Sequence, residues 1–245
     1  MRNVYLPTPV SCLLLSFLLL PVVKADSRPV KIEIPTARPH AVKTTVSTLE
    51  FYSKFLYDTL KLKKLGLSHE ALNYAYKGQQ KLASRGKLNN PDILTICDFT
   101  QSSGNKRMYI IDIKKFKVLM TTYVAHGKNS GLSYARKFSN RPESLESSLG
   151  FYLTRNPYLG EHGVSLKLCG LENGFNDNAE RRAVVVHGAD YIGGEHRGIM
   201  GRSFGCPAVP EKSAEKVINL IKGGTCLFIY HPTKKYLQAS KLLKG

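Results

Sequence analysis

The sequence predicts an α+β fold, mainly β, with a helical hairpin ahead of a sheet-based domain. Two patterns lead to this prediction. Apolar residues recur every three or four positions over residues 41–62 and again over residues 69–85, as in amphipathic helices. From residue 91 onward, short apolar runs rich in β-branched residues alternate with polar turns, which is typical of strands. No internal repeat is visible, so we expect a sheet with helices packed outside it.

The two helices are predicted from their apolar positions and their caps. The first covers residues 41–62, and Ser68 offers an N-cap for the second, which ends before Gly86. Because the connection between them is short, they should pack as a hairpin. We therefore expect a helical segment at residues 41–90, packed on a domain at residues 91–235.

The sheet domain is predicted to contain seven strands, at residues 93–99, 107–113, 117–125, 149–154, 164–169, 183–187 and 225–231. A short helix at residues 213–222, ended by two glycines, lies between the last two strands. The loops at residues 126–131 and 140–148 are long and polar. Loops of this kind usually carry function.

Residues 1–25 have the composition of a secretory signal peptide. Arg2 precedes an apolar stretch from Cys12 to Leu20, and small residues follow before Asp26. The alternative is a membrane anchor, but the stretch is shorter than the roughly 20 residues that a spanning helix needs. Residues 26–40 contain three prolines and predict an extended linker. We expect an exported protein in the periplasm or cell envelope, or secreted, without a stable membrane span after cleavage.

The charge of the chain indicates an anionic partner. Lys and Arg number 36 against 18 Asp and Glu, which gives a formal net charge of +18. An exported chain with no Trp and no basic-aromatic repeat fits an anionic cell envelope better than nucleic acid. The basic residues are scattered along the sequence, which favours diffuse attraction over a specific groove. A soluble protein with a merely basic surface is the alternative.

A cysteine and a histidine near the C-terminus predict a nucleophilic active site. Cys206 lies in a loop with Gly205 and Ser203, and His187 ends an apolar run of strand type that starts at Ala183. A thiol attacks as the thiolate and therefore needs a base and a polar setting. The backbone N–H groups of Gly205 and Cys206 can turn toward one point and form an oxyanion hole.

Two alternatives compete for these residues. In an oxidising compartment Cys206 could form a disulfide with one of the three strand-type cysteines, Cys97, Cys169 and Cys226. His187, Asp190, His196 and Cys206 are also of types that bind zinc, but their spacing matches no zinc pattern. We therefore predict a catalytic Cys206, no metal and no cofactor.

A series of motifs resembles the catalytic domain of the murein L,D-transpeptidases, the YkuD-like family, in its second catalytic-domain type. The resemblance covers most of residues 65–232 and rests on His187-Gly188, Ser203-x-Gly205-Cys206-Pro207, Ala125-His126-Gly127, Phe138-Ser139-Asn140, Ser147-Ser148-Leu149-Gly150-Phe151, His162-Gly163 and Gly174-Phe175-Asn176-Asp177. It implies a YkuD-like, β-rich fold and two-step acyl transfer on peptidoglycan stem peptides.

The resemblance also implies roles for individual residues. Cys206 would attack the carbonyl between diaminopimelate and the terminal D-Ala, and His187 would be the base, oriented by the backbone carbonyl of Gly188. Gly205 and Cys206 would hold the oxyanion. Ser203 would shape the loop. Arg202 would approach the substrate carboxylate, and His126 lies in a loop that the family places near the cleft. Phe204 is a further candidate substrate contact beside the nucleophile, whereas Asp190 and Tyr191 either line the cleft or anchor the loop.

Two positions depart from the family's pattern. Many members have His between the Ser and Gly of the loop and Arg or Asn two residues after the Cys, where this chain has Phe204 and Ala208. Contacts next to the nucleophile should therefore differ, with Arg202 as a replacement charge. Three functions remain open: a transpeptidase with an amine acceptor, an L,D-carboxypeptidase with water as acceptor, and a non-catalytic protein that binds the cell envelope.

Overall fold

A computed structural model describes the protein over residues 46–193, 199–200 and 202–244. The predicted signal peptide and linker, and the start of the first predicted helix, lie outside the described residues. So does His196, one of the four residues considered as zinc ligands. The described chain falls within one compact unit, residues 43–245.

The centre of the fold is a seven-stranded sheet with the order β3-β2-β1-β9-β4-β5-β6. Its strands are β1 (Ile93–Asp98), β2 (Met108–Asp112), β3 (Lys117–Thr122), β4 (Gly150–Gly160), β5 (Gly163–Gly170), β6 (Val185–Val186) and β9 (Cys226–Tyr230). The pair β1 and β9 is parallel, and the other neighbours are antiparallel. Strands β1, β2 and β9 are buried along their whole length, as expected for apolar strands covered on both faces. The mainly β, α+β prediction is confirmed.

Within the described residues, four α-helices accompany the sheet: α1 (Val46–Thr59), α2 (His69–Ser84), α3 (Glu211–Ile221) and α4 (Lys234–Ala239), with a 3₁₀ turn at Leu62–Leu65. Ser68 caps α2, because its hydroxyl accepts a hydrogen bond of 3.1 Å from the N–H of Ala71. The hairpin of α1 and α2 is joined by a bond of 2.8 Å between Ser53 Oγ and Asn73 Oδ1. Buried residues of α2 share one apolar core with the sheet.

The hairpin of β4 and β5 is longer than the sequence indicates. We predicted strands at residues 149–154 and 164–169, but β4 continues to Gly160 and β5 begins at Gly163. The extra part of β4 contains Pro157, lies at a register shift and is mostly exposed. Such a segment lacks the buried apolar pattern by which strands are recognised. The hairpin therefore extends as an arm beyond the sheet core.

Two further predicted strands are shorter in the structure. The strand predicted at residues 183–187 has ladder pairing only at β6, because Ala183 has a φ of 51° and turns the chain. The strand predicted to reach Ala125 ends at Thr122. Among the described helices, none is both long and apolar enough to cross a bilayer.

Candidate active site

A small second ladder joins the histidine segment to the cysteine segment. Strand β7 (Gly188–Ala189) pairs in parallel with β8 (Val209–Pro210), and the N–H of Val209 donates to the carbonyl of His187 at 2.9 Å. A Cβ at Gly188 would lie 3.0 Å from Ala214 Cβ on α3, so glycine permits this close approach. The ladder holds the end of β6 beside the loop that contains Cys206.

Ser203 fixes the shape of that loop. Its hydroxyl donates to the carbonyl of Cys206 at 2.7 Å and accepts from the N–H of Gly205 at 3.1 Å. Its backbone is held on both sides, since its N–H donates to the His126 carbonyl and its carbonyl accepts from the N–H of Lys128. Ser203 therefore acts on the nucleophile through the backbone of the loop.

The geometry at Gly205 changes the predicted oxyanion hole. The N–H of Gly205 is directed to Ser203 Oγ and is not free to bind an oxyanion in this conformation. The N–H of Cys206 has no acceptor among the described residues and is the remaining donor of the predicted pair. Gly205 has a φ of 124°, and a Cβ there would lie 2.9 Å from the carbonyl oxygen of Glu146. This position therefore requires glycine.

The sulfur of Cys206 lies against the chain that follows Arg182. It accepts a hydrogen bond of 3.5 Å from the N–H of Val185 and donates to the carbonyl of Ala183 at 3.6 Å. Burial raises the pKa of the Cys206 thiol, while the Val185 N–H and the charge of Arg182 lower it. The thiol is half-buried, and this partial burial favours its neutral form.

The other three cysteines in the described part of the chain, Cys97, Cys169 and Cys226, are free thiols like Cys206. Cys97 and Cys226 are fully buried on the neighbouring strands β1 and β9, and burial raises the pKa of Cys97 to about 12. Burial also raises the pKa of Cys226. Such thiols are unreactive small apolar residues.

His187 is held as a neutral base. Its Nδ1–H donates to the carbonyl of Gly188 at 2.8 Å, which leaves the lone pair on Nε2. Burial lowers the pKa of His187, the bond to Gly188 raises it, and the neighbouring His162 lowers it again. The rings of His162 and His187 are stacked with centroids 4.4 Å apart.

Cys206 and His187 line the same cleft, which has a volume of about 560 Å³. Four further predicted site residues also line it: Tyr191, Arg202, Ser203 and Phe204. The ring of Phe204 is 70% exposed and lies 4.6 Å from Lys128 Nζ. Burial raises the pKa of Tyr191 to about 12, so its hydroxyl stays protonated and can donate a hydrogen bond.

Two predicted substrate contacts lie elsewhere. Asp190 lines a separate cavity of about 430 Å³ beside the start of α3. His126 is fully buried, and its Nδ1 accepts from Arg107 Nη2 at 2.7 Å while Nε2–H donates to the carbonyl of Gly131 at 3.3 Å. Asp190 and His126 therefore do not line the cleft that contains Cys206. His126 supports the loop through its backbone carbonyl, which accepts a hydrogen bond from the N–H of Ser203.

The cleft is also lined by residues that were not predicted for the site, and Arg182 and His162 are among them. His162 is at the tip of the hairpin of β4 and β5, which the sequence predicted as a loop. Arg182 immediately precedes the run that ends at His187, so its position in the sequence was a usable signal. No group of three possible metal ligands occurs within the described ranges.

Comparison with known proteins supports the class of protein that this fold and site define. A sequence profile of the L,D-transpeptidase catalytic domain matches residues 63–230, more than half of the chain. No curated protein matches the sequence. The chain belongs to the L,D-transpeptidase catalytic domain family.

Solved structures with similarity to this chain are distant in sequence. An L,D-transpeptidase from Mycobacterium smegmatis is 14% identical, with 57% of this chain and 59% of that chain covered and a TM-score of 0.37. The L,D-transpeptidase of Xylanimonas cellulosilytica DSM 15894 is 15% identical, with 62% and 68% covered and a TM-score of 0.34. The match therefore spans about three-fifths of the first of these proteins.

Proposed function

We propose that this protein is a peptidoglycan L,D-transpeptidase with Cys206 as nucleophile and His187 as base. The observation that carries this proposal is the cleft that Cys206 and His187 line together, with the Nδ1–H of His187 fixed on the Gly188 carbonyl. That bond directs the Nε2 lone pair to the reaction without help from a carboxylate.

The reaction proceeds in two acyl transfers. His187 Nε2 takes the thiol proton, and the Cys206 sulfur attacks the carbonyl between the L-centre of diaminopimelate and the terminal D-Ala. The tetrahedral intermediate collapses, the C–N bond breaks, and D-Ala leaves with the proton from His187. An acceptor amine then attacks the thioester, loses its proton to His187, and the released thiolate is protonated again.

The chain's own groups supply the charge stabilisation for these steps. The N–H of Cys206 is the donor available for the oxyanion, and preorganised donors of this kind are worth roughly 3 kcal/mol each. Because burial raises the pKa of Cys206 and lowers that of His187, the neutral pair is favoured at rest. The thiolate then forms during the attack instead of persisting in the free enzyme.

The surface of the cleft fits an anionic, peptide-like substrate. Arg202 supplies a positive charge at the rim, Tyr191 supplies a hydroxyl donor, and exposed Phe204 supplies an apolar face. The net charge of +18 favours attraction to an anionic cell envelope. We place the protein, after export and removal of residues 1–25, in the periplasm or cell envelope.

The test is incubation of the protein from Asp26 onward with muropeptides that carry tetrapeptide stems. Mass spectrometry is expected to show a cross-linked product without the terminal D-Ala and a transient acyl adduct on Cys206. Cys206→Ala should abolish both. Cys169→Ala, the matched control at the other half-buried cysteine, should leave them unchanged.

Other outcomes distinguish the alternatives. Release of D-Ala with only tripeptide product would identify an L,D-carboxypeptidase with water as acceptor. Binding to sacculi that is equal in the wild type and Cys206→Ala, without any product or adduct, would identify a non-catalytic envelope-binding protein. The family resemblance also predicts that a carbapenem adds one covalent adduct, at Cys206.

A further inference from the structure

Arg182 is held rigidly beneath the nucleophile loop. Its Nη1 donates to the carbonyl of Ser139 at 2.8 Å and to Ser148 Oγ, while Nη2 donates to Ser144 Oγ at 3.2 Å and to the Glu146 carbonyl at 2.6 Å. All four acceptors are neutral oxygens, and none of the described ion pairs includes Arg182. The guanidinium therefore keeps its net charge in a half-buried setting, where charges are weakly screened.

The same side chain lies next to the nucleophile. Arg182 Nη2 is 3.1 Å from the position that a Cβ on Gly205 would take, directly before Cys206. Ala183 and Val185, the first and third residues after Arg182, contact the sulfur: it donates to the carbonyl of Ala183 and accepts from the N–H of Val185. The segment from Arg182 to Val185 thus brings a cation next to the nucleophile loop and a hydrogen-bond donor to the sulfur.

Ala183 makes this arrangement possible through its left-handed backbone. With a φ of 51°, it departs from the conformation of β6 and turns the chain between Arg182 and the strand. Such a conformation costs a non-glycine residue about 1–2 kcal/mol. Strained residues of this kind cluster at functional sites, where the surrounding contacts maintain them.

We propose that Arg182 is a positioning residue of the nucleophile: its fixed guanidinium stabilises the thiolate of Cys206 and supports the loop that carries it. The inference deepens the proposed function, since it rests on Cys206 as the nucleophile. Burial opposes formation of the thiolate, and Arg182 is the positive charge that acts against it. The other titratable groups around the thiol are Glu146, Tyr158, Glu161, His162, His187, Tyr191 and Arg202.

The pH dependence of alkylation of Cys206 by iodoacetamide tests this proposal. Peptide mapping by mass spectrometry restricts the readout to Cys206. In Arg182→Gln the midpoint of the curve of alkylation rate against pH should move to higher pH. The rate of alkylation at pH 7.5 should fall by about threefold to tenfold, because less thiolate is present. Arg182→Lys should restore part of the rate. Arg181→Gln removes the same charge from the exposed neighbouring residue and should behave as wild type.

A second pair of variants covers the case in which Arg182→Gln does not fold. Ser144→Asp places a carboxylate against Nη2 and neutralises the guanidinium while the arginine stays in place, whereas Ser144→Asn changes the shape without the charge. The midpoint should rise in Ser144→Asp and not in Ser144→Asn. Equal midpoints in these two folded variants and the wild type would overturn the proposal. Because alkylation needs no muropeptide, this result is independent of whether the transpeptidase reaction is observed.

Discussion

At the scale of single residues, the nucleophile loop depends on two positions that have no reacting atoms. Ser203 closes the turn through two hydrogen bonds, and Gly205 supplies a backbone conformation that other residues rarely adopt. Each hydrogen bond contributes about 1 kcal/mol, which is small beside the stability of a domain. Their combined effect is on geometry, since they determine where the sulfur and the N–H of Cys206 point.

Gly205→Ala should therefore damage activity more than stability. The new Cβ would lie 2.9 Å from the Glu146 carbonyl and 3.1 Å from Arg182 Nη2, so the loop must move. We expect a loss of about 1–3 kcal/mol in the free energy of unfolding and a decrease in turnover of roughly 10²-fold, as for a displacement near 1 Å. Urea denaturation and muropeptide turnover measure the two effects.

Gly86→Ala is the matched control for this variant. Gly86 also has a left-handed φ, of 63°, but no atom lies within 4 Å of its Cβ position. It should lose about 1 kcal/mol of stability and no activity. Equal turnover in Gly205→Ala and Gly86→Ala would show that the space around Gly205 does not matter for catalysis.

At the scale of secondary structure elements, the hairpin of β4 and β5 brings a second imidazole to the site. Its tip carries His162, which stacks on the base at a ring separation of 4.4 Å and an interplanar angle of 23°. The hairpin therefore contributes a side chain to the site as well as two strands to the sheet. Through His162 it influences the protonation of His187 directly.

His162→Phe should move the acid limb of the pH profile of turnover to higher pH. His162 lowers the pKa of His187, so its removal raises that pKa and the neutral base is lost at a higher pH. Phe keeps a stacked ring without a charge, and His162→Ala should shift the limb in the same direction. A shift in the Ala variant alone would assign the effect to solvent access instead of charge.

A second prediction at this scale concerns the packing of α2 on the sheet. A Cβ at Gly78 would overlap the ring of Phe151, which stacks on Phe228 with centroids 4.1 Å apart. Replacing a helix-interior glycine by alanine gains about 1 kcal/mol in helix propensity, but overpacking costs about 1–3 kcal/mol. We expect Gly78→Ala to be less stable than wild type in urea denaturation.

The double variant Gly78→Ala/Phe151→Leu separates the two terms. The smaller leucine removes the ring atoms that a Cβ at residue 78 would overlap. Gly78→Ala should therefore cost less stability in the Phe151→Leu background than in the wild type. Additive effects of the two substitutions would mean that the two positions do not contact each other in solution.

At the scale of the whole molecule, the sequence predicted the sheet-rich fold, the hairpin of α1 and α2, and the pair of Cys206 and His187. Each has a local signal: apolar periodicity, the Ser68 cap, or a thiol in a glycine-rich loop. Arg182 and His162 have weaker signals: Arg182 directly precedes the apolar run that ends at His187, and His162 belongs to one of the motifs of the family resemblance. Their proximity to the thiol and the base follows only from the pairing of segments that are distant in the sequence. His126 was placed at the cleft for its loop, but the fold buries its side chain against Arg107.

The buried His126 makes a prediction for the stability of the whole protein. Burial, and then the charge of Arg107, lower its pKa from 6.5 to about 4. The unfolded chain binds a proton below pH 6.5 while the folded chain does not, so stability decreases as the pH falls from 6.5 to 4. The contribution is on the order of 3 kcal/mol, at 1.36 kcal/mol for each unit of pKa difference.

His126→Asn should lower stability at neutral pH and flatten its decrease toward pH 4. The amide oxygen can still accept from Arg107, but it does not titrate, so the proton-linked loss disappears. The buried carboxyl of Glu172, whose pKa is raised by burial, acts in the opposite direction and is common to both proteins. The difference between their urea-derived free energies at each pH therefore isolates His126. His69→Asn, at an exposed residue, is the control. If the free energy of unfolding of His126→Asn fell with pH as steeply as that of His69→Asn, His126 would be protonated in the folded state.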